Sequence, residues 1–298
     1  MKKSKKINIY PYLFLAPFFI IFIAFSLFPM FYSLYISFMK WDGVNEMTFM
    51  GLGNYTRLFT DPEFYKSLWN TLLVIVLAIP LQMLFGLVMA VLLKDFFQRA
   101  RTALQFINYT PNITTPVAVG LVFAILFDTR IGAVNQLIQS LGYTGDPIDW
   151  LGQAVTARIV VIILLVWKYF GYMMVMFLAG LSTIPDDLYE AATIDGANYF
   201  QTFCSITIPM LKPTFIFLTT TSVISGLQLF AEPQLLFSRT ANSAGPGDSV
   251  LTSIMYMYDT AFQRFDFGYG AAIAYGLFLI ILLLSITRIR KITGEEDS

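Results

Sequence analysis

Charged and uncharged residues alternate along this chain in long blocks. Residues 7–39, 67–93, 102–127, 213–231 and 267–287 carry no charge, and 159–185 are interrupted only by Lys168. A bilayer core of about 30 Å is crossed by about 20 apolar residues in a helix. Each of the six blocks meets or nearly meets that length. Strands of about ten residues with period-two alternation, the mark of a membrane barrel, are not seen in the sequence. The pattern predicts an all-α polytopic membrane protein with six transmembrane helices. They run roughly over 10–39, 67–93, 102–127, 159–181, 213–236 and 267–287, in one transmembrane domain spanning 1–298.

Composition agrees. Hydrophobic residues make up 57% of the chain and charged residues 13%, against about 25% charged in soluble domains. There is too little charge to clothe a soluble surface, which excludes an ordinary soluble enzyme and a disordered chain. The formal net charge is zero, so the basic excess of a nucleic-acid binder is missing. Histidine is absent and Cys204 is the single cysteine. This removes disulfides, His or Cys metal centres and histidine-based triads. No cofactor and no metal are expected, and Cys204 reads as a small buried residue.

The first block begins with Lys2, Lys3, Lys5 and Lys6, as a secretory signal would. A signal's apolar region is about 7–15 residues, and this one is more than twice that, so it reads as a retained first helix. Six spans place both termini on one side. Eleven Lys and Arg fall on that side and seven on the other, with the basic turn Lys94–Arg99–Arg101 close to helix ends. The positive-inside rule makes the termini cytoplasmic. The outer segments, 40–66, 128–158 and 237–266, carry turn signals such as Trp41-Asp42-Gly43 and Ala244-Gly245-Pro246-Gly247-Asp248. Two of them also hold helix-period stretches, 133–141 and 250–262, expected to lie along the surface.

The inner segment 182–212 between the fourth and fifth spans is distinctive. Pro185 suits the first position of a helix, Asp186 and Asp187 suit its positive end, and Gly196 suits the left-handed residue that closes it. These predict a separately capped helix of two to three turns. Ala191 and Ala192 give it a low profile for close approach of another surface, and Glu190 offers one acid to a cation there. A connector packed on its own bundle is the alternative. Phe200, Phe203 and Ile206 follow at helical spacing, and Pro209 and Pro213 break the chain before the fifth span.

Glu190-Ala191-Ala192, then Asp195-Gly196-Ala197, then Phe203, Ile206, Ile208-Pro209, Leu211 and Pro213 resemble the EAA motif of ATP-binding-cassette importer permeases. Ile208 stands where leucine is common. The sugar-uptake members of that family are resembled further by Phe28-Pro29-Met30, expected as a proline break in the first helix. Gly51-Leu52-Gly53-Asn54-Tyr55 and Phe267-Gly268-Tyr269-Gly270-Ala271-Ala272 extend the likeness along nearly the whole chain. The resemblance implies a type I importer permease fold with no ATPase of its own, in a bacterial cytoplasmic membrane. It implies that Glu190, Ala191, Ala192, Asp195 and Gly196 lie on a coupling helix seated in an ATPase subunit. The implied partners are a second homologous permease, two cytoplasmic ATPase subunits, an extracytoplasmic solute-binding protein, membrane lipid and a di- or oligosaccharide. The chain has no Gly-x-x-x-x-Gly-Lys-Ser/Thr phosphate loop, so energy for pumping has to come from a partner.

Polar residues inside the spans mark candidate lining. Lys168 is the ionisable group deepest in a span, flanked by Trp167, Tyr169 and Tyr172. Thr221, Ser225, Gln228 and Glu232 form one helical stripe on the fifth span, with Ser222 beside it and Glu232 towards the outer end. Such a stripe faces protein or a wet path. Trp167, Lys168, Tyr169, Tyr172, Ser222, Ser225, Gln228 and Glu232 are the candidate sugar path, by stacking and hydrogen bonding. Thr219–Ser222 as a run reads instead as glue between helices. Asn108, Pro111, Asn112 and Thr115 fit either a kink or a lining. An ion-coupled secondary transporter is disfavoured because no acid is expected at mid-depth. A membrane-embedded enzyme is disfavoured by the lack of a reactive cluster.

Overall fold

The computed structural model describes residues 10–238 and 242–296. Lys2, Lys3, Lys5, Lys6 and Arg239, which contribute to the basic bias, lie outside the described residues.

Helix α1 (Tyr10–Phe22) passes into α2 (Phe28–Ser37) through a π turn at Ile23–Leu27. The expected proline break is therefore a widened turn. Pro29 would clash with the carbonyl four residues back in a regular helix, and the wider turn moves that carbonyl aside. A two-stranded ribbon follows, β1 (Met39–Lys40) antiparallel to β2 (Thr48–Phe49), with Met39 opposite Phe49. Next come α3 (Gly53–Thr60) and the long α4 (Pro62–Asp95). The third span is bent by 95° between α5 (Arg101–Ile113) and α6 (Pro116–Leu126). Thr114 and Thr115 are extended there, because Pro116 drives the residue before it out of the helical region. Then come α7 (Ala133–Ser140), α8 (Ala154–Leu181) and α9 (Asp186–Ile194).

The fifth span is assembled from pieces. A short α10 (Tyr199–Thr202), a π turn at Phe203–Thr207 and α11 (Ile208–Met210) precede α12 (Lys212–Leu227), with a bend of 59°. Pro209 follows its π turn as Pro29 follows the first one. α12 ends at Leu227, and α13 (Ala231–Leu236) resumes after Gln228, Leu229 and Phe230. The last elements are α14 (Ser253–Tyr258), continued by a π turn at Asp259–Gln263, and α15 (Phe267–Glu296). Among the described residues four helices are long and apolar enough to cross a bilayer, and the number is six when each of the two bent pairs is taken as one span. The expected count stands.

The chain forms two compact units, where the sequence pattern reads as one domain. Of the described residues, one comprises those up to Asp61 together with Met257–Ile280, and the other those of Pro62–Tyr256 and those from Ile281 onward. In the first unit, the Asn54 side-chain amide donates to the carbonyls of Ser37 (2.9 Å) and Met39 (2.8 Å). This gives Gly51-Leu52-Gly53-Asn54-Tyr55 a physical role, satisfying carbonyls left open where α2 ends. Arg57 pairs with Asp266 at 2.7 Å and lies over the Tyr269 ring.

In the second unit α4 packs along α8, and α5 lies against α8 as well. A Cβ at Gly171 would come within 1.9 Å of the Asn108 carbonyl oxygen, so only glycine permits that approach of α5 to α8. Two apolar clusters form the core. One is built around Val74, Phe123, Val160 and Leu164; the other around Met83, Leu87, Met174 and Phe177. Arg158 donates to the Ser249 carbonyl (2.9 Å) and to Asn70 Oδ1 (3.0 Å), while the Asn70 amide donates to the Asp248 carbonyl (2.8 Å). The buried Asn70 side chain and the Ser249 carbonyl are thus matched along this seam. The stretch 250–262 is not the surface helix expected. Val250, Leu251, Met255 and Tyr256 are buried, and Ser253 is fully so. The helix at 133–141 is present as α7 and exposes Leu137 and Leu141, as the pattern required.

Candidate functional site

Two regions of the second unit hold the candidate residues. The first is a cavity of about 550 Å³ bounded by α4, α5, α8 and the break between α12 and α13. Its polar wall consists of the amides of Gln82, Asn112 and Gln228, the hydroxyls of Tyr109, Tyr169, Tyr172, Thr221, Ser222 and Ser225, and the carboxylate of Glu232. The sequence stripe survives as a lining, though not as one helix face. Gln228 is the C-cap of α12, and Phe230 leaves the helical region at φ −142°, ψ −60°. The unwound turn opens into the cavity; the Leu229 carbonyl is met by the Thr252 hydroxyl at 2.6 Å. Irregular backbone at membrane depth is tolerated where protein or a cavity satisfies it.

Glu232 is not at the outer end of a continuous stripe. It reaches Lys168, near the middle of α8: Lys168 Nζ donates to Glu232 Oε1 at 2.6 Å, and Tyr169 Oη donates to the same oxygen at 2.7 Å. The two charged side chains are 5% and 7% exposed. An acid therefore does lie level with mid-helix, against expectation, and it is held by a cation of its own chain. Lys168 is consumed in this pair and does not line the cavity. Trp167 is not on its wall either; its ring packs on Phe123 with centroids 5.4 Å apart. The glue reading of Thr219–Ser222 also needs revision. Thr219 and Thr221 donate to the carbonyls of Phe215 and Phe217, one turn back in their own helix, and only Thr219 reaches another helix, at Met83 Sδ (3.6 Å). Asn112 lines the cavity, whereas Asn108 donates to Leu104 O and serves the helix. Gln82 is a single polar residue in a long apolar run, and Tyr109 lies among the more polar Asn108, Thr110 and Asn112, so neither stands out in the sequence.

The second region is the segment around α9. Pro185 sits at the N-cap with extended ψ, one position earlier than expected, and Asp186 and Asp187 occupy the first turn. Gly196 has φ +77°. Its N–H donates to Thr193 O and that of Ala197 to Ala192 O, the paired bonds of a Schellman closure. Glu190, Ala191, Asp195 and Gly196 are exposed. Ala192 is buried, so it serves the helix's own packing rather than an outside surface. Ile194, 86% exposed, adds an apolar knob that the sequence reading passed over. Behind α9 the helix is braced to the end of α4. Lys94 Nζ lies 4.5 Å over the Tyr189 ring, and Tyr199 Oη donates to Asp95 Oδ2 at 2.7 Å. An Asn198–Gln201 capping box fixes the next turn. Cys204, expected to be buried, is exposed on the π turn that follows.

Residues 82–294 match the family described as the inner membrane component of binding-protein-dependent transport systems. The chain belongs to that family. The α9 segment and all the polar residues of the cavity wall fall within the matched residues of this transport component. The arabinooligosaccharide transport permease of Bacillus subtilis is 33% identical over 96% of this chain and 88% of its own length. The lactose transport permease of Rhizobium radiobacter is 34% identical over 92% of this chain and 91% of its own. A bacterial importer of the acidic polysaccharide alginate has a crystal structure whose chain superposes with a TM-score of 0.79, covering 94% of each chain at 22% identity. That likeness establishes the fold, a type I importer permease.

Proposed function

We propose that the chain is one permease subunit of an ATP-driven importer that moves a carbohydrate, a di- or oligosaccharide, across the bacterial cytoplasmic membrane with both termini inside. The cavity carries this reading. Its tyrosine rings offer stacking faces to sugar C–H surfaces, and its amides and hydroxyls offer both donors and acceptors to sugar hydroxyls. The names of the two curated relatives support the same substrate class. The working assembly would contain a second homologous permease completing the path, two cytoplasmic ATPase subunits that hydrolyse ATP, and a solute-binding protein outside. The exposed face of α9, with Glu190, Ala191, Asp195 and Gly196, would seat in an ATPase subunit and pass its closure to the bundle through α8 and α4.

Uptake measured per assembled complex tests the path. Tyr172→Ala removes a stacking face and is expected to lower uptake about tenfold, the equivalent of about 1.4 kcal/mol. Tyr172→Phe keeps the ring and should stay within about threefold of the parent. Equal losses would make the hydroxyl the working part, and no loss in either would remove Tyr172 from the path. Uptake should also survive collapse of the ion gradient and fail on ATP depletion; the reverse pattern would turn the reading towards a secondary transporter.

Orientation has its own check. Cys204 is exposed and unique, so in right-side-out vesicles of the unassembled permease a membrane-impermeant maleimide should label it only after permeabilisation. Labelling from outside would reverse the topology and remove α9 from any cytoplasmic ATPase.

A further inference from the structure

We propose that Glu232 sets the charge selectivity of the cavity. Its carboxylate admits uncharged saccharides, accepting a hydroxyl on Oε2, and turns away saccharides that carry a carboxylate, such as uronates and aldonates. The inference rests on the carbohydrate reading above and narrows it. Three observations support it. Glu232 is the one formally charged side chain on the cavity wall, among ten polar residues of which nine are neutral. Both of its side-chain donors, Lys168 and Tyr169, fall on Oε1, which leaves Oε2 without a side-chain donor among the described residues. And Lys168, though 2.6 Å from Oε1, lies behind the carboxylate, off the wall.

The ion pair therefore presents its negative end to whatever enters. Two charges that cancel at a distance do not cancel for a solute touching one of them, because Coulomb energy falls with separation and is screened less in a cavity walled by protein than in bulk water. A neutral sugar loses nothing to this field and gains a charge-assisted hydrogen bond to Oε2. A carboxylate-bearing sugar meets like charge before it can reach the ammonium. Lys168 and Tyr169 hold Oε1 and so fix the carboxylate in place.

Small charged probes read this field without needing the transported sugar or the binding protein. In the complete transporter in nanodiscs, with Cys204→Ser, the substitution Ser225→Cys places a thiol on the cavity wall. Its reaction rate is measured with hydroxyethyl (neutral), trimethylammonioethyl (cationic) and sulfonatoethyl (anionic) methanethiosulfonates. The cation-to-anion rate ratio, divided by that of 2-mercaptoethanol in solution, is expected to be about tenfold or more with Glu232 in place. In Lys168→Met/Glu232→Gln, which removes both charges together, it should fall to within about twofold of free thiol. A ratio near one with Glu232 present, or a ratio unchanged in the double variant, overturns the proposal. Should the double variant fail to assemble, the ratio with Glu232 present decides alone. A thiol that reacts with the neutral reagent but shows no charge preference sinks only this inference. A thiol inert to the neutral reagent means a closed, dry cavity, and overturns the path reading and this inference together.

Discussion

Glu190→Ala and Gly196→Asp are each expected to leave the permease in the membrane at normal level while abolishing the stimulation of ATPase activity by loaded binding protein. Uptake should drop at least tenfold in both. Glu190 is exposed on α9 and, among the described residues, has no hydrogen-bond or ion-pair partner in its own chain. Its removal costs this chain nothing, whereas a charge-assisted contact to a docked subunit is worth about 1.5–3 kcal/mol. Gly196 closes the helix at φ +77°, and a Cβ there would meet nothing within 4 Å. Aspartate at a left-handed position costs roughly 1–2 kcal/mol of backbone strain. It also adds bulk and charge where the helix would enter its partner, so the larger effect appears only in the complex. Stimulated ATPase activity at the parent level in both variants would remove α9 from the coupling route.

Lys168→Met alone is expected to destabilise the solubilised protein by roughly 3–5 kcal/mol, since it strands the buried Glu232 carboxylate without its cation. The pair is only 5% and 7% exposed, so water does little to compensate. Lys168→Met combined with Glu232→Gln removes both charges and should recover most of the loss, because replacing a whole buried pair is often close to neutral. The measurement is the midpoint of thermal unfolding, followed by the monodisperse fraction after heating, for parent, single and double variants. A single variant no less stable than the double would mean that the carboxylate finds another partner.

Most of the architecture follows from local properties. Hydropathy counts apolar residues over about 20 positions, and that is the quantity a bilayer selects. The six spans were therefore legible. The capped helix at 186–194 was legible too, because its signals are short-range: acids in the first turn, and a glycine one turn past Ala192. The bend before Pro116 belongs in the same class. The interruption at Gln228–Phe230 has a local cause as well: Pro233 has no N–H for the Leu229 carbonyl four residues back and would clash with it in a continuous helix. What no local signal states is that Thr252, far along the chain, takes up the carbonyl thus left open.

What the sequence by itself determined was therefore the class of protein, the number of spans and the shape of the α9 loop, all set within a few turns of helix. Which polar residues meet was decided by tertiary structure alone. Lys168 and Glu232 lie 64 residues apart, and nothing in the pattern of either span states that they share a level. Trp167 and Tyr169 are two positions apart, yet one packs on Phe123 and the other lines the cavity, since a helix turns by about 200° over that step. Sequence periodicity gives the angle between two side chains on one helix. Only the packing of α4, α5, α8 and the broken fifth span gives the direction in which that angle is measured.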